Sequence, residues 1–537
     1  MTESAKWWQK AVIYQIYPRS FRDSNGDGMG DIRGIIEKLD YVKSLGVDAI
    51  WLSPVFKSPQ DDNGYDISDY QDIDPLFGNL EDMKELLRQA NARNLKILVD
   101  MVLNHTSDEH PWFIEAKSSR DNPKHDWYVW RDGTPDCPPN EMKSVFSGSA
   151  WQWCEDCGQY YLHQYSVKQP DLNWDNPEVR KALFDMMNWW VEQGAGGFRL
   201  DVIDSVAKEP DKMITAEGTN LHPYIREMSA AVLQGKDLVT VGECWSATPE
   251  TAKLWSNPDG SELSMVFQFE HIVLDQDGEK WNCIPLPVDK LKKVQAKWQT
   301  ELNGQGWNSL FWENHDLPRI VSRWGNDGQY REKSAMMLAT VLFGLQGTPY
   351  IYQGQELGMT NVKFNLEDYQ DIEIRNMAKE KLAEGVPLET IMAGIHAKGR
   401  DNARTPMQWD ATENAGFTTG KPWIKVNPNY VDINAAAQEA DPNSVLNYYR
   451  HLVALRKRED VIRDGNYQEI LPQRQDVIAY SRDNGNCKLT VVANFTGETI
   501  DFPAEILGNA GNLEIGNYDS LPSDGKLRPY EAAMYLK

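Results

Sequence analysis

The chain has 537 residues, 80 acidic against 55 basic, for a formal net charge of −25. That field has the wrong sign for nucleic acid or an anionic membrane surface as partner. The length exceeds one ordinary core and suggests a large domain with one or two satellites.

Strand-like and helical patterns alternate along most of the chain. Ala11–Pro18 reads as a strand and Ile32–Leu45 as a helix. Val47–Pro54, a helix around Leu80–Ala92, and the strand Leu95–Val102 follow. A helix over Pro177–Gln193 leads into a fourth strand, Gly197–Ile203, and Leu238–Glu243 is a fifth. Met265–Phe269, Ser309–Glu313 and Pro349–Tyr352 supply the sixth, seventh and eighth. Eight apolar strands separated by helices predict an α/β fold, a parallel (β/α)8 TIM barrel. The stretch 105–174 is too long for an ordinary loop and is rich in Trp, Pro and Cys, so it reads as a subdomain inserted after strand three. A helix over Asn443–Lys457 closes the barrel, and Val477–Tyr480 and Cys487–Asn494 begin a C-terminal antiparallel β-domain. The expected division is a barrel of 1–104 and 175–457, an insertion of 105–174 and a β-domain of 458–537.

No stretch is long and apolar enough to span a bilayer, and Met1–Trp8 lacks the apolar core of a signal peptide. The expectation is a cytoplasmic monomer whose six cysteines are free thiols. Cys154 and Cys157 form a lone C-x-x-C with no second pair at zinc spacing.

In Gly197–Ile203, residues two apart share a face, so Arg199 and Asp201 project together. The pair could be structural, but a carboxylate held ionised by a neighbouring Arg suits a nucleophile. Barrel enzymes carry their chemistry at the C-terminal ends of strands. Asp201 on strand four, Glu243 on strand five and Asp316 just past strand seven all stand there. Two such carboxyl groups at short separation support retaining glycoside hydrolysis, and a third can offset developing positive charge. Near the N-terminus, Asp23-Ser24-Asn25-Gly26-Asp27-Gly28-Met29-Gly30-Asp31 puts oxygen side chains at every second position, the opening rhythm of a calcium loop. It lacks the closing Glu of an EF-hand, and the alternative reading is a capped polar turn into the helix at Ile32.

Four segments together resemble the α-amylase family of glycoside hydrolases. They are Asp100-Met101-Val102-Leu103-Asn104-His105, Gly197-Phe198-Arg199-Leu200-Asp201, Val241-Gly242-Glu243-Cys244-Trp245 and Glu313-Asn314-His315-Asp316, in the family's order. The resemblance implies Asp201 as nucleophile, Glu243 as general acid/base and Asp316 as transition-state stabiliser. It implies that His105, Arg199 and His315 bind the terminal glucose, with Asn104 supporting the end of strand three. Asp61-Asp62-Asn63-Gly64-Tyr65-Asp66 is similar to the loop that closes the nonreducing end in oligo-1,6-glucosidases and dextran glucosidases. There Asp62 would hold sugar hydroxyls, Tyr65 would stack on the ring and Arg400 would pair with Asp62. Val202, directly after the nucleophile, resembles the α-1,6-preferring members, and Trp245, Lys280 and Glu373 would line the next sugar subsite. The resemblance also implies a structural Ca2+, or Mg2+ in its place, on Asp23, Asn25, Asp27, the Met29 carbonyl and Asp31, and no organic cofactor.

The expected function is a retaining, exo-acting α-glucosidase that releases glucose from α-1,6-linked isomalto-oligosaccharides or dextran. The same intermediate would serve an α-1,4-glucosidase, a sucrose isomerase or a trehalose-6-phosphate hydrolase, the last needing a cation such as Lys280 for phosphate. A non-catalytic transporter partner of this fold would lack the carboxylates and carry a membrane helix. The expected partner is therefore a small oligosaccharide.

Overall fold

The computed structural model describes residues 6–520 and 525–537. Met1–Ala5, part of the segment in which no leader was read, lie outside the described residues. Eight parallel strands form the centre: β1 Ile13–Ile16, β2 Ala49–Leu52, β3 Lys96–Val102, β4 Gly197–Asp201, β5 Val239–Glu243, β6 Met265–Phe267, β7 Ser309–Leu310 and β8 Thr348–Tyr352. They pair in the order β6-β5-β4-β3-β2-β1-β8-β7. The ring closes through a parallel bridge between Val266 and Asn308, reinforced by the Ser309 hydroxyl donating to the Val266 carbonyl at 2.7 Å. The expected TIM barrel is present, with each expected strand in its place, seven of them trimmed by one to four residues and the eighth beginning one residue earlier, at Thr348.

Burial on both faces explains the apolar runs. Ile13, Trp51, Leu98, Val241, Met265, Phe267 and Tyr350 pack inside the ring, while a larger cluster fills the layer between strands and outer helices. The helix expected over Ile32–Leu45 is interrupted. Lys38 takes φ −105° and ψ 5°, which splits it into Ile32–Glu37 and Leu39–Ser44.

Between β3 and β4 the chain forms a helix, Pro111–Ser118, and a small antiparallel sheet of Trp130–Arg131, Gln159–Leu162 and Trp151–Cys154. Val129, Met142, Ala150, Trp151, Tyr160 and Leu162 give it a core of its own. After β8 comes a helical pair that the periodicity did not reveal, Ile372–Ala383 and Leu388–Lys398, around Ile374, Ile391 and Ile395. The helix Val445–Arg458, capped by Ser444, ends the barrel. Beyond it β9 Asn466–Ile470, β10 Val477–Asp483, β11 Lys488–Asn494, β12 Asn512–Gly516 and β13 Ala532–Leu536 form a sheet ordered β9-β10-β11-β13-β12, antiparallel throughout. All six cysteines are free thiols. Among the described residues no helix is long and apolar enough to cross a membrane.

Candidate active site

Strand register places the first charged groups. Asp100 on β3 lies opposite Arg199 on β4, and Arg199 lies opposite Val241 on β5, two residues before Glu243. The two-residue period then puts Asp201 and Glu243 on the same side as Arg199. The guanidinium, 2% exposed, donates from one nitrogen to Asp100 at 3.0 Å and Asp201 at 2.6 Å, and from the other to Glu243. It also lies over the Trp51 ring, 5.0 Å from the centroid. Buried charges are tolerated only when so partnered, yet here three carboxylates share one cation. Burial pushes the Asp201 carboxyl well above its usual range; Arg199 pulls it down, and Glu243 and Asp100 push it further up. Three carboxylates crowded on one cation repel one another, which favours a proton shared among them.

Val202, directly after β4, lies in the left-handed region, φ 34° and ψ 44°. A β-branched residue there costs about 1–3 kcal/mol. In this conformation its N–H donates to Glu243 Oε2 at 3.3 Å, and its side chain lines the cavity. The other Glu243 oxygen accepts from the Trp245 indole N–H at 2.9 Å.

Asp316 stands across the mouth. Arg404 donates to it at 2.7 Å and Arg400 at 3.1 Å, and His315 Nε2 lies 3.0 Å away. Burial pushes this carboxyl up, but His315, Arg400 and Arg404 together hold it well below the usual carboxylate range. His315 is fixed by Gln15, 2.8 Å from its Nδ1, and sandwiched between Tyr17 and Tyr65. The Tyr65 ring is thus covered on one side by His315, 5.3 Å between centroids, and its hydroxyl donates to Asp100 at 3.0 Å.

Asp62, Tyr65, His105 and Arg400, each at least nine-tenths buried, form the inner wall. Arg400 lies 3.7 Å from Asp62, as the sequence suggested, but its strongest partner is Asp371, at 2.5 and 3.0 Å. Burial pushes Asp62 up to about 7 despite Arg400 and Arg404, and pushes His105 down to about 4, which leaves its imidazole neutral near pH 7. Asn104 secures the end of β3: Lys208, itself bound to Asp171 at 2.8 Å, donates to its side-chain oxygen at 2.6 Å. Asp371, Arg404 and Gln169, which donates to Asp62 at 3.1 Å, were all missed in the sequence. Arg404 had a signal, its i,i+4 spacing from Arg400 on one helical turn.

Asp62, Tyr65, His105, Asp201, Val202, Glu243, Asp316 and Arg400 line a cavity of about 700 Å3 at the C-terminal ends of the strands, while Arg199, His315 and Asn104 stand behind that lining. A larger one, about 1210 Å3, lies at the opposite end and contains none of the expected site residues. Trp245, Lys280 and Glu373 line the outer part of the first. Trp245 is half exposed and stacks on Phe269, 3.8 Å between centroids. Lys280 donates to Glu373 at 2.6 Å, so each neutralises the other.

In the Asp23–Asp31 loop, Asp23 accepts from the backbone of Asn25, Gly26 and Gly28 and from Thr418, while Asp31 accepts from Ser24 and caps the helix at Ile32. Asn25 and Asp27 each accept from the backbone two residues on. The donor set is all oxygen, as a hard cation requires, and an acceptor already bonded to one N–H keeps a second lone pair. Among the described residues, however, no three acidic, histidine or cysteine side chains converge closely enough to hold a metal. That also leaves Cys154 and Cys157 without metal partners.

A barrel with paired carboxylates on one guanidinium at adjacent strand ends defines a glycoside hydrolase. The comparisons with known proteins agree. A family model for the α-amylase catalytic domain matches residues 15–465. The chain is 52% identical to an oligo-1,6-glucosidase of Parageobacillus thermoglucosidasius, over 98% of each chain. It is 54% identical to a glucan 1,6-alpha-glucosidase of Streptococcus pneumoniae, over 93% of each. The solved trehalose-6-phosphate hydrolase of Bacillus licheniformis superposes with a TM-score of 0.95 at 47% identity, covering 99% of this chain and 100% of that one. The chain belongs to the α-amylase family of glycoside hydrolases.

Proposed function

We propose that the protein is a retaining, exo-acting α-glucosidase that removes single glucoses from the nonreducing ends of α-1,6-linked isomalto-oligosaccharides or dextran. The observation that carries this reading is one guanidinium bridging Asp201 and Glu243, both of which line a walled pocket. That bridge favours the short carboxyl separation of a retaining pair over the wider gap of an inverting one, which seats a water.

Glu243 protonates the glycosidic oxygen as the bond from C1 breaks, and Asp201 attacks C1 to form a glucosyl ester. The shortened chain leaves. Water then attacks C1, Glu243 takes its proton, and the ester bond to Asp201 breaks. Asp316, kept ionised by its cations, offsets charge on the oxocarbenium-like transition state. Asp62, His105 and Arg400 surround the space for one glucose and Tyr65 offers it a ring face, while Arg199 and His315 hold the carboxylates from behind.

The linkage rests on two supports. Two sequence relatives reported above carry the 1,6 linkage in their names, and Val202, beside the proposed nucleophile, puts a bulky β-branched residue on the cavity lining. The trehalose-6-phosphate reading is weakened because Glu373 already neutralises Lys280. The test is kcat/KM on isomaltose, isomaltotriose, maltose, sucrose and trehalose-6-phosphate side by side. Preference for the isomalto-sugars with glucose released from the start is expected. Preference for maltose, sucrose or the phosphorylated disaccharide overturns the linkage, and oligosaccharides without early glucose overturn the exo mode. The Asp23–Asp31 loop is proposed as a structural Ca2+ site, remote from the chemistry, on the strength of its run of oxygen donors.

A further inference from the structure

Glu243 has two oxygens, and the structure treats them differently. Oε2 faces the permanently charged Arg199 and the Val202 N–H. An oxygen that accepts from two donors, one cationic, is a poor place for a proton. The proton that Glu243 transfers therefore sits on Oε1, and the only group donating to Oε1 among the described residues is the Trp245 indole N–H, at 2.9 Å.

The indole is held for this. Trp245 stands two residues past the end of β5, and its plane lies on Phe269, 8° from parallel. Phe269 in turn meets Phe311 edge-on at 5.5 Å, and Phe311 meets Phe267 inside the barrel. A column of aromatic rings thus runs from the rigid ring of strands to the rim. It fixes the N–H edge of an otherwise half-exposed side chain.

We propose that Trp245 is a positioning residue for the acid step: its indole N–H fixes the direction of the Glu243 Oε1 proton and stabilises the carboxylate as that proton leaves. The inference rests on Glu243 being the general acid. As the C1–O bond breaks, the Oε1 proton passes to the departing oxygen, the bonding pair goes with that oxygen, and Asp201 supplies the pair that forms the new bond to C1. Negative charge grows on Oε1 in this step, so a hydrogen bond to it is stronger in the transition state than before it.

The test uses the full chain carrying Trp245→Phe, which keeps a ring on Phe269 and facing the leaving group but has no N–H. Aryl α-glucosides of one ring size, from phenyl to 2,4-dinitrophenyl, vary the need for acid assistance while the aromatic contact stays alike. The variant is expected to lose about tenfold more kcat/KM on the phenyl than on the dinitrophenyl glucoside, the size of one charge-assisted hydrogen bond. A loss equal across the series, or no loss, overturns the proposal and leaves Trp245 a sugar platform only. Glu243→Gln is run on the same series. If it shows no steeper dependence than the native enzyme, the acid assignment itself fails, and this inference with it.

Discussion

Arg199 does what no lysine could do in its place. Three carboxylates on three different strands meet two nitrogens of one planar fork, and an ammonium presents only a point charge. Arg199→Lys is therefore expected to lower kcat on isomaltose by about 10²-fold or more, the loss seen when an aligned donor is removed. A near-native kcat would show that net charge alone suffices. Asp62 gives a prediction of a different kind. Its folded carboxyl, pushed by burial to about 7, holds its proton more tightly than the unfolded chain does near 3.9. Its stabilising contribution is full below about pH 4 and is lost as pH rises through about 7. Asp62→Asn removes this dependence, so the melting temperature of the variant relative to native should rise between pH 4 and pH 7. A constant difference across that window would contradict the shift. At this scale the three carboxylates proposed for the chemistry were legible as candidates because each sits in a motif at or near a strand end. Asp371 was not, since a lone Asp in a polar stretch carries no pattern; only the fold brings it 2.5 Å from Arg400.

The strands β4 and β5 carry Asp201 and Glu243, and their closeness depends on Gly197. A Cβ there would stand 2.0 Å from the Val239 carbonyl oxygen and 2.9 Å from its carbon, both backbone atoms of the neighbouring strand. Gly197→Ala should therefore cost at least the ~1–3 kcal/mol of overpacking and lower activity with stability, read by urea unfolding and kcat on the same samples. Full activity with normal stability would mean the strands can part without moving the carboxylates. The barrel strands were legible because burial on both faces writes them as continuous apolar runs. The break at Lys38 was not, since Leu39 and Val42 keep the helical period across it. The paired helices Ile372–Ala383 and Leu388–Lys398 were missed for the opposite reason: their apolar residues bury in a small separate cluster with loop residues such as Phe364 and Ile424, so no strong stripe appears.

Across the whole molecule, the Asp23–Asp31 loop ties the start of the chain to a segment some four hundred residues later. Asp23 bonds Phe417 and Thr418, and Trp423 donates to the Gly28 carbonyl at 3.0 Å. A cation in that loop would lock both segments, so removing it with a chelator should lower the melting temperature by a few degrees and leave kcat at 25 °C nearly unchanged. A melting temperature unmoved by chelator and by added Ca2+ would leave the loop as a hydrogen-bonded turn. The pocket has its own consequence for how a long substrate is consumed. On the exo reading proposed above, the buried inner wall of Asp62, Tyr65, His105 and Arg400 would turn a severed glucose back toward the mouth. The sugar must leave through the mouth by which the chain entered, so the shortened chain has to move aside first. On that same exo reading, each cut then ends an encounter, and a population of chains would be trimmed evenly, one unit at a time, without any single chain being followed to its end.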